Sequence, residues 1–136
     1  LDVNAVMIGR EHGYNVVYGN TSNDAVLRDF GLAPRRTRAV VVALDNIATA
    51  RRTIHTVRNI APRVKIFARA RNLADTHELL KLNVTEALPE TIESSFMLGS
   101  GVLSHLGVPD SKIAALLDTM RADNYSGIDG TIADRN

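Results

Sequence analysis

Short apolar runs alternate with amphipathic helical segments along most of this 136-residue chain. The clearest run is Ala39–Leu44, which is continuously apolar, as is typical of a strand covered on both faces of a sheet. The segment after it places Ile47, Ala50, Ile54 and Val57 at spacings of three and four, which is a helical period. Strand–helix alternation predicts parallel pairing with right-handed crossovers. We therefore expect an α/β fold, a Rossmann-like three-layer sandwich around a parallel sheet.

The other predicted elements follow the same rhythm. Further strands are expected near Leu1–Val3, Tyr14–Tyr18, Val64–Ala68 and Val84–Leu88. Helices are expected over 4–12, after a cap at Thr21 or Ser22, after Asn46 and after Asn72. The helix after Thr21 or Ser22 is predicted to end at Gly31 and to bury the apolar side chains Val26, Leu27 and Phe30.

The pattern changes after Pro89. A truncated Rossmann domain is predicted over 1–88, a long helix over 89–107, a second amphipathic helix over 108–125 and a frayed tail over 126–136. Ser95, Gly99 and Gly101 are small residues within the long helix, and such residues permit close helix crossing. Two helices that trail a sheet domain suggest an arm that packs on another chain or domain.

Composition excludes several functions. Sixteen Lys and Arg against fifteen Asp and Glu give a net charge of +1, which predicts no general nucleic-acid or membrane-surface footprint. Arg35, Arg36 and Arg38 are interpreted as a solvated loop. The absence of cysteine excludes disulfides, thiolate nucleophiles and zinc knuckles. No apolar run approaches the roughly 20 residues that span a bilayer.

The residues offer little for catalysis. The four histidines, at positions 12, 55, 77 and 105, fall in different predicted helices without metal-ligand spacing. Ser94 and Ser95 lack the strand-to-helix context of a nucleophile elbow. We therefore expect that the chain is not an enzyme and binds no metal.

Polar residues at predicted strand ends are candidates for ligand binding, because ligands of open α/β sheets lie outside the carboxyl ends of strands. Asp2 could accept hydrogen bonds from a ribose diol or cap the first helix. The turn Gly19–Ser22 contains Asn20, which could meet an adenine edge or serve only the turn. Asp45 and Asn46 could contact the same ligand or cap a helix. Arg69 and Arg71 are the candidates at the next strand end. Their guanidinium groups could bind a phosphate or a carboxylate, or could simply be solvated.

Five segments carry a family resemblance when taken in order. They are Leu1-Asp2, the run Tyr14–Ser22 (YNVVYGNTS), Val42–Asn46 (VALDN), Ile66–Arg71 (IFARAR) and Pro89–Ser94 (PETIES). Over about residues 1–125 the chain resembles the regulatory Rossmann domain, called TrkA-N, RCK-N or KTN, of bacterial Kef-type monovalent cation:proton antiporters.

The resemblance implies a dimeric, nucleotide-sensing gating domain on the cytoplasmic side of the bacterial inner membrane, with a membrane antiporter domain in the same polypeptide. NAD(H) or AMP would bind the intact domain, glutathione or an adduct would bind near the dimer interface, and no nucleic acid is expected. By motif, the implied nucleotide residues are Asp2, Gly19, Asn20, Asp45, Asn46, Arg69 and Arg71. The implied dimer helix begins at Glu90 and presents Ile92, Ser95, Phe96, Gly99, Val102 and Leu103.

Two departures from the family pattern have consequences. Asn20 stands where the family has an aspartate that contacts adenine. The preference of this chain for an adenine nucleotide therefore does not follow from the resemblance. The glycine-rich phosphate loop and the strand before it, which is the central strand of the family's sheet, are not found. We therefore expect that the remaining strands close the gap at the centre of the sheet, that a strand is borrowed by swapping, or that the chain belongs to a longer polypeptide. Leu1 in place of Met also suggests a longer polypeptide. Nucleotide binding by this chain is expected to be weak or absent. The alternatives are a K+ channel or Trk-type uptake regulator and a fragment of an NAD-dependent dehydrogenase.

Overall fold

A computed structural model describes residues 23–133 of the chain, with side chains to residue 128. In chain order its elements are α1 (Asp24–Asp29), β1 (Ala39–Val42), α2 (Ile47–Ile60), β2 (Lys65–Ala70), α3 (Leu73–Leu80), β3 (Glu86–Pro89), α4 (Glu90–His105) and α5 (Asp110–Ala133).

The three strands form one parallel sheet in the order β1-β2-β3. The expected α/β, Rossmann-like fold with two C-terminal helices is thereby confirmed. The helix predicted over 4–12 and the strands predicted at Leu1–Val3 and Tyr14–Tyr18 lie outside the described residues. The chain divides into two compact units, and the division in the sequence falls between Phe67 and Ala68.

The first unit is built around α2. Asn46 caps this helix as predicted, since its side chain accepts a hydrogen bond of 2.9 Å from the Thr49 amide. The buried residues of α2 recur every three or four positions, so one stripe of the helix faces the core. The core of this unit consists of Val42, Ala50, Thr53, Ile54, Val57, Ile60, Ala61, Val64 and Ile66.

Two predictions in this unit are wrong in detail. The cap of α1 is Asn23, whose side chain accepts from the amides of Ala25 and Val26, because it stands one position closer to the helix than Ser22. The predicted burial of Val26, Leu27 and Phe30 is also wrong, because α1 buries none of its residues: Val26 and Leu27 are half-buried and Phe30 is 39% exposed.

The strand β1 also differs from its prediction. Its side chains alternate between the two faces, with Val42 buried and Val41 72% exposed. The uninterrupted apolar run therefore does not mark a strand buried on both faces in the described part of the chain.

The second unit begins with the end of β2. Asn72 caps α3 as predicted, since its side chain accepts a 2.9 Å hydrogen bond from the Asp75 amide. Thr76 is fully buried, and its hydroxyl donates to the Asn72 carbonyl at 2.8 Å, so burial leaves that polar group satisfied. The buried residues of this unit are Ala68, Ala70, Leu73, Thr76, Leu79, Val84, Ala87, Pro89, Phe96, Ile113 and Tyr125.

The last two helices are joined by a short connection, and α4 and α5 pack on each other. Gly107 ends the first of them with a φ of +84°, a left-handed conformation that glycine adopts without strain. The helical dihedrals of α5 are interrupted over Ala122–Tyr125, so the predicted boundary at residue 125 falls inside this element. Within residues 23–133, no helix combines the length and apolar character needed to cross a membrane.

Candidate functional site

The start of α4 is tied to the end of β2. The hydroxyl of Thr91 donates to the Arg71 carbonyl at 2.7 Å, and the Thr91 amide donates to the same oxygen at 3.3 Å. The residue before α4, Pro89, makes no side-chain cap hydrogen bond. The Thr91 contacts therefore fix the entry of α4 against the segment that carries the two predicted phosphate-binding arginines.

Arg69 lies beside the first residue of α4. Its Nη1 is 3.4 Å from Oε2 of Glu90, and the two side chains are 34% and 51% exposed. An ion pair this open to water contributes little to stability, about 0 to 1 kcal/mol. The pair brings together a predicted nucleotide residue and a predicted dimer-helix residue.

Glu93, one turn further along α4, is the centre of a denser network. Its carboxylate accepts two hydrogen bonds from Arg121 on α5, from Nε at 2.9 Å and from Nη2 at 2.7 Å. The Tyr125 hydroxyl donates a third, at 2.6 Å. Because two parallel N–H donors engage both carboxylate oxygens, the arrangement is bidentate and fixes the orientation of both side chains.

The network shifts the ionisation of all three groups. Hydrogen bonding to Arg121 lowers the pKa of Glu93 against the opposing effect of burial. The same contact raises the pKa of Arg121. Burial, and then the hydrogen bond to Glu93, raise the pKa of the Tyr125 phenol. At neutral pH the cluster is therefore a carboxylate, a guanidinium and a neutral phenol.

Aromatic contacts lie against this network. The Phe96 and Tyr125 rings are 6.4 Å apart at an interplanar angle of 28°, and the Arg121 guanidinium carbon is 5.6 Å from the centroid of the Phe96 ring. Phe96 and Tyr125 are buried with Leu73, and the partly buried residues packed on them are Ile92, Leu117, Met120 and Ile128. The result is a compact joint between α4 and α5.

The opposite side of α4 is open and apolar. Leu98, Val102 and Leu106 recur every four residues and are 74%, 52% and 75% exposed. Met97 beside them is 78% exposed. We call Leu98, Val102 and Leu106 the outer stripe of α4.

A shallow groove adjoins the outer stripe. It is lined by Arg71, Glu90, Thr91, Ser94, Ser95 and Leu98.

The structure distributes the predicted site residues over both units. In the first unit, Asp45 and Asn46 follow β1, and Asn46 acts as a helix cap. In the second, Arg69 and Arg71 lie at the end of β2 beside α4. Outside the described residues lie Asp2, Gly19 and Asn20.

The predicted dimer-helix residues divide into two sets. Gly99 and Val102 are exposed residues, and Leu103 is half-buried. Ser95 is exposed and donates to the Thr91 carbonyl at 2.9 Å. Phe96 is 8% exposed and packs inside the chain, with Ile92 against it. In the described part of the chain, a Cβ added at Gly99 or Gly101 meets no atom within 4 Å, so no helix crosses α4 closely there.

Sequence reasoning did not predict the Glu93, Arg121 and Tyr125 network. The contacts join residues 28 and 32 positions apart. The available signal was the antiparallel pairing that the short Gly107–Pro109 connection implies for α4 and α5. Among the described residues, no group of His, Asp or Glu could hold a metal ion.

These observations define the class of protein: a Rossmann-like α/β domain followed by a helical hairpin. Residues 2–89 match the model of the TrkA-N domain, and the chain belongs to this family. The expected relationship to Kef-type antiporter domains is confirmed by the comparisons with individual proteins.

Two relatives are K+ efflux antiporters. The chain is 34% identical over 128 residues to K(+) efflux antiporter 1, chloroplastic, of Arabidopsis thaliana. It is 30% identical over 125 residues to the putative K(+) efflux antiporter KefB of Alkalimonas amylolytica. The matches cover 93% and 92% of this chain but 11% and 19% of those relatives, so the chain spans a small part of their length.

A solved structure shares the fold. It is the Shewanella denitrificans Kef CTD in AMP-bound form, with a TM-score of 0.68 and 24% identity. The match covers 87% of this chain and 73% of that one.

Proposed function

We propose that this chain is a cytoplasmic regulatory domain that senses a nucleotide and gates a K+/H+ antiporter in the membrane. The observation that carries the proposal is its relationship, over more than nine-tenths of its length, to two K+ efflux antiporters. The named relatives are transporters, which favours this function over a dehydrogenase fragment. Both are antiporters, which favours it over a channel or Trk-type regulator.

The proposed nucleotide is AMP or NAD(H). An AMP-bound relative with the same fold supports this ligand class. Asp45 and Asn46 follow β1, and Arg69 and Arg71 occupy the end of β2, the kind of position at which α/β sheets bind ligands. The arginines would supply charge for a phosphate group, and Thr91 holds the backbone beside them through the Arg71 carbonyl.

The proposed partner is a second copy of the chain. The outer stripe exposes three large apolar side chains, Leu98 and Val102 on the 16-residue helix α4 and Leu106 at its C-cap. Pairing of two such helices would remove this surface from water, which stabilises association. Arg69 and Arg71 lie beside α4, so ligand binding at these residues would be connected to the dimer interface on that helix.

The proposed mechanism is a shift of population between two dimer arrangements. A nucleotide that binds one arrangement more tightly raises its population by the ratio of the two affinities. The joint of Glu93, Arg121 and Tyr125 holds α5 on α4, so the hairpin would move as one piece. The antiporter domain in the same polypeptide would respond to that movement.

Isothermal titration calorimetry of the chain with AMP and with NADH tests the ligand. Saturable but weak binding, above the micromolar range, is expected, because no G-x-G-x-x-G motif is found in the 136 residues. Arg69→Gln combined with Arg71→Gln is expected to weaken it further, while Lys112→Gln, an exposed cation on α5, leaves it unchanged. Equal AMP affinities of the parent and the Arg69→Gln, Arg71→Gln variant would contradict the assignment of these two residues.

The resemblance further predicts glutathione or an adduct near the dimer interface. Titration of glutathione into the nucleotide-loaded chain tests this prediction separately. A change in the dimer dissociation constant is the expected result.

A further inference from the structure

The near-neutral charge of the whole chain conceals an uneven distribution. Residues 23–67 hold nine Lys and Arg against three Asp, a formal charge of +6. Residues 68–133 hold five Lys and Arg against nine Asp and Glu, a formal charge of −4. A strongly basic segment therefore lies within a chain whose net charge is only +1.

Most of this positive charge gathers at one edge of the sheet. Arg35, Arg36 and Arg38 lie within the four residues before β1. Arg63 lies two residues before β2, and Lys65 is the first residue of that strand. The amino ends of neighbouring parallel strands lie at the same sheet edge, about 5 Å apart. All five side chains belong to exposed residues. We call these five residues the basic edge.

Both loops of the basic edge are held by hydrogen bonds. Near β1, the Ala33 carbonyl accepts from the amides of Arg36 and Thr37, and the Thr37 hydroxyl accepts from the Ala33 amide at 3.0 Å. Near β2, Arg58 donates to the carbonyls of Pro62 and Val64, which fixes the turn that carries Arg63. The cations are thus presented from ordered backbone.

The acidic groups of the same unit are too few to neutralise the five cations of the basic edge. Asp24 pairs with Arg28 at 3.2 Å within α1. Asp45 follows the opposite, carboxyl end of β1. Asp29, at the end of α1, is the remaining carboxylate among residues 23–67, against five exposed cations.

We propose that the basic edge docks on the anionic headgroups of the membrane. The proposal rests on the proposed function, which joins the domain to a membrane antiporter. Clusters of Lys and Arg bind acidic lipid surfaces electrostatically. A nucleic acid fits less well, because the two loops hold no aromatic side chain on which a base could stack. The surface lies at the edge opposite Asp45 and Asn46, so membrane and nucleotide would not compete.

Cosedimentation with vesicles tests the proposal. The full chain is expected to bind phosphatidylcholine vesicles that contain phosphatidylglycerol, not vesicles of phosphatidylcholine alone, and to dissociate as salt rises. The triple variant Arg35→Gln, Arg36→Gln, Arg38→Gln is expected to lower the partition coefficient between about tenfold and a hundredfold. The Lys triple variant at the same positions keeps the charge and is expected to bind like the parent.

A matched control changes the charge by the same amount elsewhere. Ser111→Asp, Ala114→Glu and Ala115→Glu lie at exposed positions of α5 and together lower the net charge by three. This variant is expected to keep most of the binding. Equal losses in the control and the Gln triple variant, equal binding to both vesicle types, or preference for a single-stranded oligonucleotide over anionic vesicles would overturn the proposal.

Nucleotide titration of the same proteins separates this proposal from the proposed function. The Gln triple variant is expected to keep the parent's AMP affinity and thermal midpoint. If the Arg69→Gln, Arg71→Gln variant binds AMP as the parent does while lipid binding follows the basic edge, the nucleotide assignment fails alone. If AMP binds and the vesicles do not, the docking surface fails alone.

Discussion

Truncation of Glu93 is expected to destabilise the joint between α4 and α5. Its carboxylate accepts three hydrogen bonds of 2.6 to 2.9 Å, two from Arg121 and one from Tyr125. The Glu93 side chain is 17% exposed and that of Arg121 is 41% exposed. A buried hydrogen bond to a charged group contributes about 1.5 to 3 kcal/mol to stability. Because the Arg121 side chain is partly exposed to solvent, its hydrogen bonds to Glu93 contribute less than this.

We therefore expect Glu93→Ala to cost about 2 kcal/mol in the free energy of unfolding. For a chain of this length that corresponds to a fall of roughly 8 °C in Tm. Urea unfolding followed by circular dichroism measures the effect. In a double-mutant cycle with Arg121→Ala, the expected coupling energy is about 1 to 2 kcal/mol, because both substitutions remove the same bidentate contact.

The exposed pair of Asp24 and Arg28 provides the matched control. These side chains are 56% to 58% exposed and share one contact of 3.2 Å on α1. Their coupling energy is expected to be about 0.3 to 0.5 kcal/mol. If Glu93 and Arg121 couple no more strongly than this control pair, the inference of a fixed joint is refuted.

Three further predictions concern pH, capping and assembly. The pKa of Glu93 is lowered below 4.5 in the folded chain, so its stabilising contribution is present above pH 4.5 and is lost as the pH falls through the lower folded pKa. The Tm difference between the parent and Glu93→Ala should therefore shrink in acid. A Tm difference that stays constant with pH would contradict this prediction. Asn72→Ala is expected to cost about 1 kcal/mol in urea unfolding by removing the cap on the Asp75 amide, whereas Asn72→Ser should lose little, and equal losses would argue against capping. Leu98→Glu in the outer stripe is expected to convert a dimer into a monomer in light scattering, while Leu116→Glu on α5 should not; an unchanged mass for both variants would place the interface elsewhere.

Local chemistry made much of the fold predictable. Asn46 and Asn72 precede helical periodicity and cap helices, because an amide oxygen satisfies the exposed N–H groups of the first turn. At α1, Thr21, Ser22 and Asn23 are consecutive residues able to cap, so pattern alone could not select Asn23. The apolar run at β1 could not reveal that Val41 is exposed, because burial depends on what lies above the strand.

The candidate site was less predictable. Arg69 and Arg71 followed from their place after a strand, and the structure sets them beside Glu90 and Thr91. The partnership of Glu93 and Arg121 depends on how two helices pack across 28 residues, which periodicity does not specify. The sequence shows only that Phe96 is an apolar residue of a helix. It does not show whether the side chain packs on a second chain or on the Tyr125 ring.

Potassium efflux measures the central claim most directly. A chimera would carry this chain in place of the matching segment of the Alkalimonas relative, reconstituted in vesicles loaded with K+. Saturating AMP or NADH is expected to change the efflux rate, and Arg69→Gln with Arg71→Gln to abolish that response while efflux without nucleotide persists. An efflux rate that does not respond to either nucleotide, in a chimera shown to bind it, would contradict the account.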